Sequence, residues 1–106
     1  MRVLVRGLNV SVAESMKSRI ERRLELALGR FTGTVADVQV RLSETNERHA
    51  DTTGRCQMSA RLRGTTPVWI DEIALDLPSA IDVAADRLGQ AVARRLDRFH
   101  TVRLAG

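Results

Sequence analysis

The residues of this sequence with the clearest chemistry are its arginines. Every one of its 17 cations except Lys17 is an arginine. Two clusters stand out, Arg19, Arg22, Arg23 and Arg30 in the first third and Arg87, Arg94, Arg95 and Arg98 near the end. A guanidinium presents a planar fork of donors that meets phosphate oxygens two at a time, so clustered arginines suit a polyanion. Covalent chemistry has no comparable constellation. His49 stands in a polar stretch and His100 follows the last apolar repeat, while Cys56 falls in an apolar phase, so no histidine is placed beside a serine or cysteine nucleophile. The glycines form neither a phosphate-cradling loop nor a dinucleotide fingerprint, and the helical acids lack ligand spacing to a histidine. A lone cysteine excludes an internal disulfide and a zinc cluster, which fits a reducing cytoplasm. No catalytic residue, metal, cofactor or small-molecule substrate is expected, and the protein is read as a non-enzyme.

The elements that must carry these arginines follow from apolar spacing. Arg2-Val3-Leu4-Val5-Arg6 alternates and stops at Gly7, which reads as a strand entering a turn at Gly7-Leu8-Asn9. Ser11 with Glu14 has the spacing of a capping box, and Met16, Ile20, Leu24, Ala27, Leu28 and Phe31 then recur at helical intervals, predicting a helix over residues 12–30. Val38, Val40 and Leu42 give a second strand with one apolar face, and the polar residues 44–54 read as a mobile loop. Cys56, Met58, Ala60 and Leu62 mark a third strand, ending at Gly64-Thr65-Thr66 before Pro67 opens the fourth. Val68 and Ile70 share a phase that Ile73 and Leu75 do not, so a bulge at Asp71-Glu72 is expected to return all of them to the core. Ser79, with Asp82 three residues on, is expected to cap a last helix with the apolar face Ile81, Ala85, Leu88, Val92, Leu96 and Phe99.

The order is β-α-β-β-β-α, an α+β two-layer domain with both helices on one face of a four-stranded sheet. The 106 residues make one domain, too short for a multidomain enzyme, with residues 100–106 as a flexible tail. No apolar run is long enough for a membrane span or a secretory signal. The opposite sheet face is expected to carry Gln39, Arg41, Gln57, Ser59, Arg61 and Trp69. Trp69 on that face can stack a base, anchor a partner protein or lie half buried in its strand. With aromatics at 3% of the chain, the sheet lacks the interleaved rings of a sequence-specific single-strand reader.

At about 100° per residue the helical charges segregate. In the first helix Glu14, Glu21 and Glu25 lie on one flank of the core stripe and Arg19, Arg22, Arg23 and Arg30 on the other. In the last helix Asp82, Asp86 and Asp97 oppose Arg87, Arg94 and Arg98, with Arg95 nearer the core edge, in the same hand. Helices side by side and parallel then bring one basic flank against one acidic flank and leave the other basic flank at an outer edge. Ion pairs between the helices and phosphate contacts are therefore both open to these arginines, and the absence of acids from the basic flanks favours phosphate. The net charge of +4 agrees with a polyanionic partner and with mere solubility alike.

Gly7-Leu8-Asn9-Val10, the helix ending Ile20-Glu21-Arg22-Arg23-Leu24, Val38-Gln39-Val40, Met58-Ser59-Ala60, and Ser79-Ala80-Ile81-Asp82 with Ala84 and Asp86-Arg87-Leu88 together resemble the ribosome hibernation-promoting factor and ribosome-associated inhibitor family. The resemblance spans about residues 1–99 and implies a fold similar to double-stranded-RNA-binding domains, in bacteria and plastids. It implies a cytoplasmic factor that occupies the decoding channel of the small ribosomal subunit, contacts its rRNA and inhibits translation under starvation or stress. The family's basic helix positions correspond here to Arg22, Arg23, Arg87 and Arg94. The sequence departs from the family at Leu8, Gln90 and Ala93, where basic residues are usual, and at Pro78, where an aromatic is usual. Arg95 and Arg98 supply compensating cations. The chain therefore resembles a divergent short-form member, expected to be monomeric when free and to lack the C-terminal domain by which long members pair ribosomes. A protein-interaction module that has kept the fold and lost ribosome affinity is the alternative, and free duplex-RNA binding is a third.

Overall fold

The structure, a computed structural model, describes residues 1–45 and 53–105, with side chains through Arg98. Of the expected loop 44–54, Glu44, Thr45, Thr53 and Gly54 are paired strand residues instead; residues 46–52, with His49, and the side chains of Phe99 and His100 lie outside the described residues. Alternating side chains build four strands, β1 (Arg2–Gly7), β2 (Val35–Thr45), β3 (Thr53–Leu62) and β4 (Val68–Ala74), and the two apolar stripes build α1 (Glu14–Leu28) and α2 (Leu77–Ala105). The sheet order is β1-β2-β3-β4. β1 and β2 are parallel, as a helical crossover requires, and the remaining pairs are antiparallel.

Both helices cover the same face. Val38, Val40 and Leu42 of β2 and Cys56, Met58, Ala60 and Leu62 of β3 form one buried cluster with Ile20, Leu24 and Leu28 of α1 and Ile81, Ala85, Leu88 and Val92 of α2. Each large apolar side chain sequestered in this way contributes about 1.5–3 kcal/mol. The helices approach closely at Gly89, where an added Cβ would stand 2.8 Å from the Ala27 carbonyl oxygen.

Several expectations are corrected. The capping box at Ser11 is not formed: α1 starts at Glu14 with extended Ala13 at its N-cap and no side-chain cap. The preceding segment is held by other contacts. The Leu8 amide donates to the Leu42 carbonyl at 2.8 Å, and the Asn9 side chain exchanges two hydrogen bonds with the Glu44 backbone at 2.7 and 2.9 Å. A Cβ on Gly7 would lie 2.1 Å from the Val10 carbonyl oxygen, so this turn needs glycine. Bound to β2 in this way, and with Val10 and Val12 packed on the core, the chain cannot turn helical at residue 12.

The last helix begins two residues before Ser79. Asp76 caps it, its carboxylate accepting from the Ser79 amide at 2.7 Å, and this bond holds the Asp76 carboxyl below its ordinary range. Its backbone is helical to Ala105, through positions 100–105 that the sequence reading assigned to a tail.

No bulge interrupts β4. Pairing with β3 is continuous from Val68↔Ala60 to Ala74↔Gly54. Ile73 therefore faces solvent, 65% exposed, and Glu72 takes the helix side, where the Arg87 guanidinium meets its carboxylate at 2.6 Å. That ion pair is why a charge can occupy the inward phase. The sheet's register shift lies instead in β2, between Val35 and Asp37.

Candidate nucleic-acid interface

The helix layer sorts its arginines by what they touch. α1 and α2 lie side by side, and the basic flank of α1 meets the acidic flank of α2 chiefly at Asp82, with Asp86 acting on Arg23 at longer range. Arg19 donates to its carboxylate through Nε at 3.0 Å and Nη2 at 2.6 Å, and Arg23 through Nε at 2.9 Å. These bonds, from Arg23 and from Arg19, hold the Asp82 carboxyl far below the usual carboxylate range against a smaller opposing effect of burial. Both guanidinium pKa values are raised in return, by the same bonds.

Two arginines of α2 bind neighbouring strand and turn. Arg87 holds Glu72, whose side chain is 14% exposed. Arg95 donates from Nη1 to the Thr66 carbonyl at 2.8 Å and to its hydroxyl at 2.7 Å, fastening α2 over the β3-β4 turn. Arg30 lies 4.7 Å from the Phe31 ring centroid. Arg22, Arg94 and Arg98 are exposed and have no ion pair or side-chain hydrogen bond among the described residues. Arg94 and Arg98 stand one turn apart on the outer flank of α2, a spacing that sets Cβ atoms about 6 Å apart on a helix.

The eight candidate arginines are therefore not one equivalent set. Arg19 and Arg23 join the helices, Arg87 and Arg95 join α2 to the sheet, and Arg22, Arg30, Arg94 and Arg98 present guanidinium groups with no acid partner among the described residues. Helical periodicity reports the flank of a residue but not its long-range partner, and Glu72 in particular is invisible to it because the expected bulge turned that residue outward.

The other sheet face is open, as expected, and carries Gln39, Arg41, Gln57, Ser59, Arg61 and Trp69. The sequence reading missed the pairs that stiffen this face. Arg55 grips Asp71 through Nε at 2.9 Å, Arg61 grips Asp37 at 2.9 Å, and each arginine lowers its partner's carboxyl pKa. Cys56 is buried, and its thiol is pushed up to about 12, foremost by burial. No described helix is long and apolar enough to cross a membrane.

Residues 3–100 match the family described as sigma 54 modulation protein / S30EA ribosomal protein. The chain belongs to the S30EA ribosomal protein family. Within curated proteins it is similar to the ribosome hibernation promotion factor of Picosynechococcus sp., with 27% identity over 99 residues. That match covers 93% of this chain and 49% of the relative, so the chain spans about half the length of its curated relative. Of solved structures, the N-terminal domain of Protein Y from Thermus thermophilus aligns with TM-score 0.75 and 26% identity, over 89% of this chain and 98% of that one. A ribosomal subunit interface protein from Coxiella burnetii aligns with TM-score 0.71 over 91% and 99% of the two chains; at 13% identity it attests the fold alone.

Proposed function

We propose that this protein is a ribosome-binding dormancy factor that docks on the rRNA of the small subunit, occupies the decoding channel and inhibits translation without catalysing a reaction. The observation that carries the reading is the sorting of the helix-layer arginines. Asp82 and Glu72 take up Arg19, Arg23 and Arg87, which leaves the outer flank of α2 with Arg94 and Arg98, and the solvent face of α1 with Arg22, as cations available to phosphate. Family membership and the name of the curated relative support a ribosomal partner over another polyanion.

In this reading Arg94 and Arg98 neutralise backbone phosphates, with Arg22 and Arg30 as further contacts. Arg19, Arg23, Arg87 and Arg95 keep the two helices and the sheet in the geometry that presents them. Backbone phosphates and duplex shape, not base edges, then set the affinity. Cosedimentation with purified small subunits at low and moderate salt, paired with a cell-free translation assay, tests the proposal. Binding that weakens steeply with salt, accompanied by inhibition, is the expected result. Absence of binding at low salt overturns it. Salt-insensitive capture of a protein partner establishes the interaction-module alternative in its place.

A further inference from the structure

The open sheet face has an arrangement that the helix-layer reading does not use. Register places Trp69, Ser59, Gln39 and Leu4 in one row across the four strands, and Asp71, Gln57, Arg41 and Arg6 in the adjacent row. Ser59 is small where its neighbours are long. A cavity of about 280 Å³ consequently opens beside the indole, lined by Gln39, Arg41, Gln57, Ser59, Trp69 and Asp71. Trp69 is 73% exposed, so one face of its ring is available for stacking.

The charges of this face are unevenly answered. Arg55 and Arg61 each have a carboxylate, Asp71 and Asp37. Arg6 and Arg41 stand opposite each other on the parallel pair β1 and β2, and no acid pairs with either among the described residues. Like charges set side by side across strands destabilise a sheet, so an anion lying over them is favoured. With strands about 4.8 Å apart and about 3.4 Å per residue, the Arg41 backbone lies about 12 Å from that of Trp69. A nucleotide spans that gap once two long side chains reach inward. The amides of Gln39 and Gln57 between them offer donors and acceptors to a base edge.

We propose that this face holds an unpaired nucleotide of single-stranded RNA, its base stacked on Trp69 and its phosphate between Arg6 and Arg41. A protein partner is the less favoured occupant because it would have to bring a carboxylate to the Arg6-Arg41 pair, whereas an RNA strand carries an anion at every step. One ring makes the site tolerant of sequence. The proposal does not rest on the helix-layer reading and is tested apart from it.

Trp69 is the only tryptophan and tyrosine is absent, so the fluorescence of the intact chain reports on this site alone. A short oligoadenylate should quench it saturably, a blunt RNA duplex should not, and adenosine monophosphate should act only at far higher concentration. Arg6→Ala with Arg41→Ala should weaken the quenching titration at least tenfold and make its salt slope shallower by about 0.7, the value for loss of one single-strand phosphate contact. Trp69→Ala, read by anisotropy of a labelled strand, should lose about 5- to 150-fold in affinity, and Trp69→Phe should keep most of it. Circular dichroism confirms that these variants of exposed residues fold. Arg94→Ala with Arg98→Ala should leave the stacking signal in place, which separates failure here from failure of the helix-layer reading. No quenching by the strand at low salt overturns the proposal, as does equal quenching by duplex or mononucleotide, or a labelled-strand affinity unchanged in Trp69→Ala.

Discussion

Replacing Asp82 with asparagine removes the single anion that Arg19 and Arg23 share across the α1-α2 seam. The Asp82 side chain is 20% exposed and each arginine side chain 44%, which sets the contact between a surface pair and a buried one. Exposed pairs contribute about 0–1 kcal/mol each. Three hydrogen bonds of 2.6–3.0 Å place both pairs toward the upper end, so D82N should cost about 1.5 kcal/mol, or roughly 6–12 °C in Tm. Denaturant titration at neutral pH measures it. The acid dependence makes the test stricter. A carboxyl whose pKa is lowered by folding stabilises the fold above its ordinary value, here 3.8, and loses that contribution as pH falls through the folded value. The stability difference between wild type and D82N should therefore be whole at about pH 5 and above and shrink toward about pH 2. Asp37 and Asp71 are also lowered, but by partners away from the seam, so they titrate alike in both proteins and cancel in the difference. A variant as stable as wild type, or a difference that does not change with pH, refutes the assignment of Arg19 and Arg23 to the seam.

Gly89→Ala puts a methyl group 2.8 Å from the Ala27 carbonyl oxygen. The gain of about 1 kcal/mol in helix propensity is outweighed by overpacking of about 1–3 kcal/mol, so net destabilisation is expected and a rise in Tm contradicts the close approach. Ile73→Thr should change stability by less than about 0.5 kcal/mol because the side chain faces solvent, whereas Leu42→Ala should cost about 2–5 kcal/mol; a core-sized loss at Ile73 would restore the bulge. The Cys56 thiol, buried and raised to about 12, should resist a thiol-reactive disulfide reagent at about pH 8 until urea unfolds the chain. Fast modification of the native protein shows that burial to be incomplete.

Periodicity made most of the fold legible. The alternation in β2 and β3 and the 3.6-residue stripes of the helices report directly which side faces the core, because burial of one face is what those patterns encode. Boundaries and irregularities were less legible, for identifiable reasons. Ser11 has the right spacing for a cap, but Asn9 and Gly7 tie that segment to β2 through contacts 35 residues apart in sequence. The phase change at Ile73 is not a register shift, because Arg87 stabilises Glu72 in the inward phase, and the register shift the sheet does have, between Val35 and Asp37, precedes the alternating run that periodicity reports. The arginine clusters were found from type and spacing. Their division into seam, sheet and solvent groups was not, since a helical wheel carries no information about Thr66, Glu72 or which flank meets Asp82.

Binding of three double variants to purified small ribosomal subunits, each titrated at several salt concentrations, tests the division most directly. Arg94→Ala with Arg98→Ala should weaken binding and make the salt slope shallower by about two units, at unchanged stability. Arg19→Ala with Arg23→Ala should lose stability and leave the slope nearly as it was. Arg61→Ala with Arg63→Ala, on the sheet and turn, should move the slope less than the first pair does. Equal slope changes at all three sites, or no change on loss of Arg94 and Arg98, would contradict an rRNA-facing outer flank on α2.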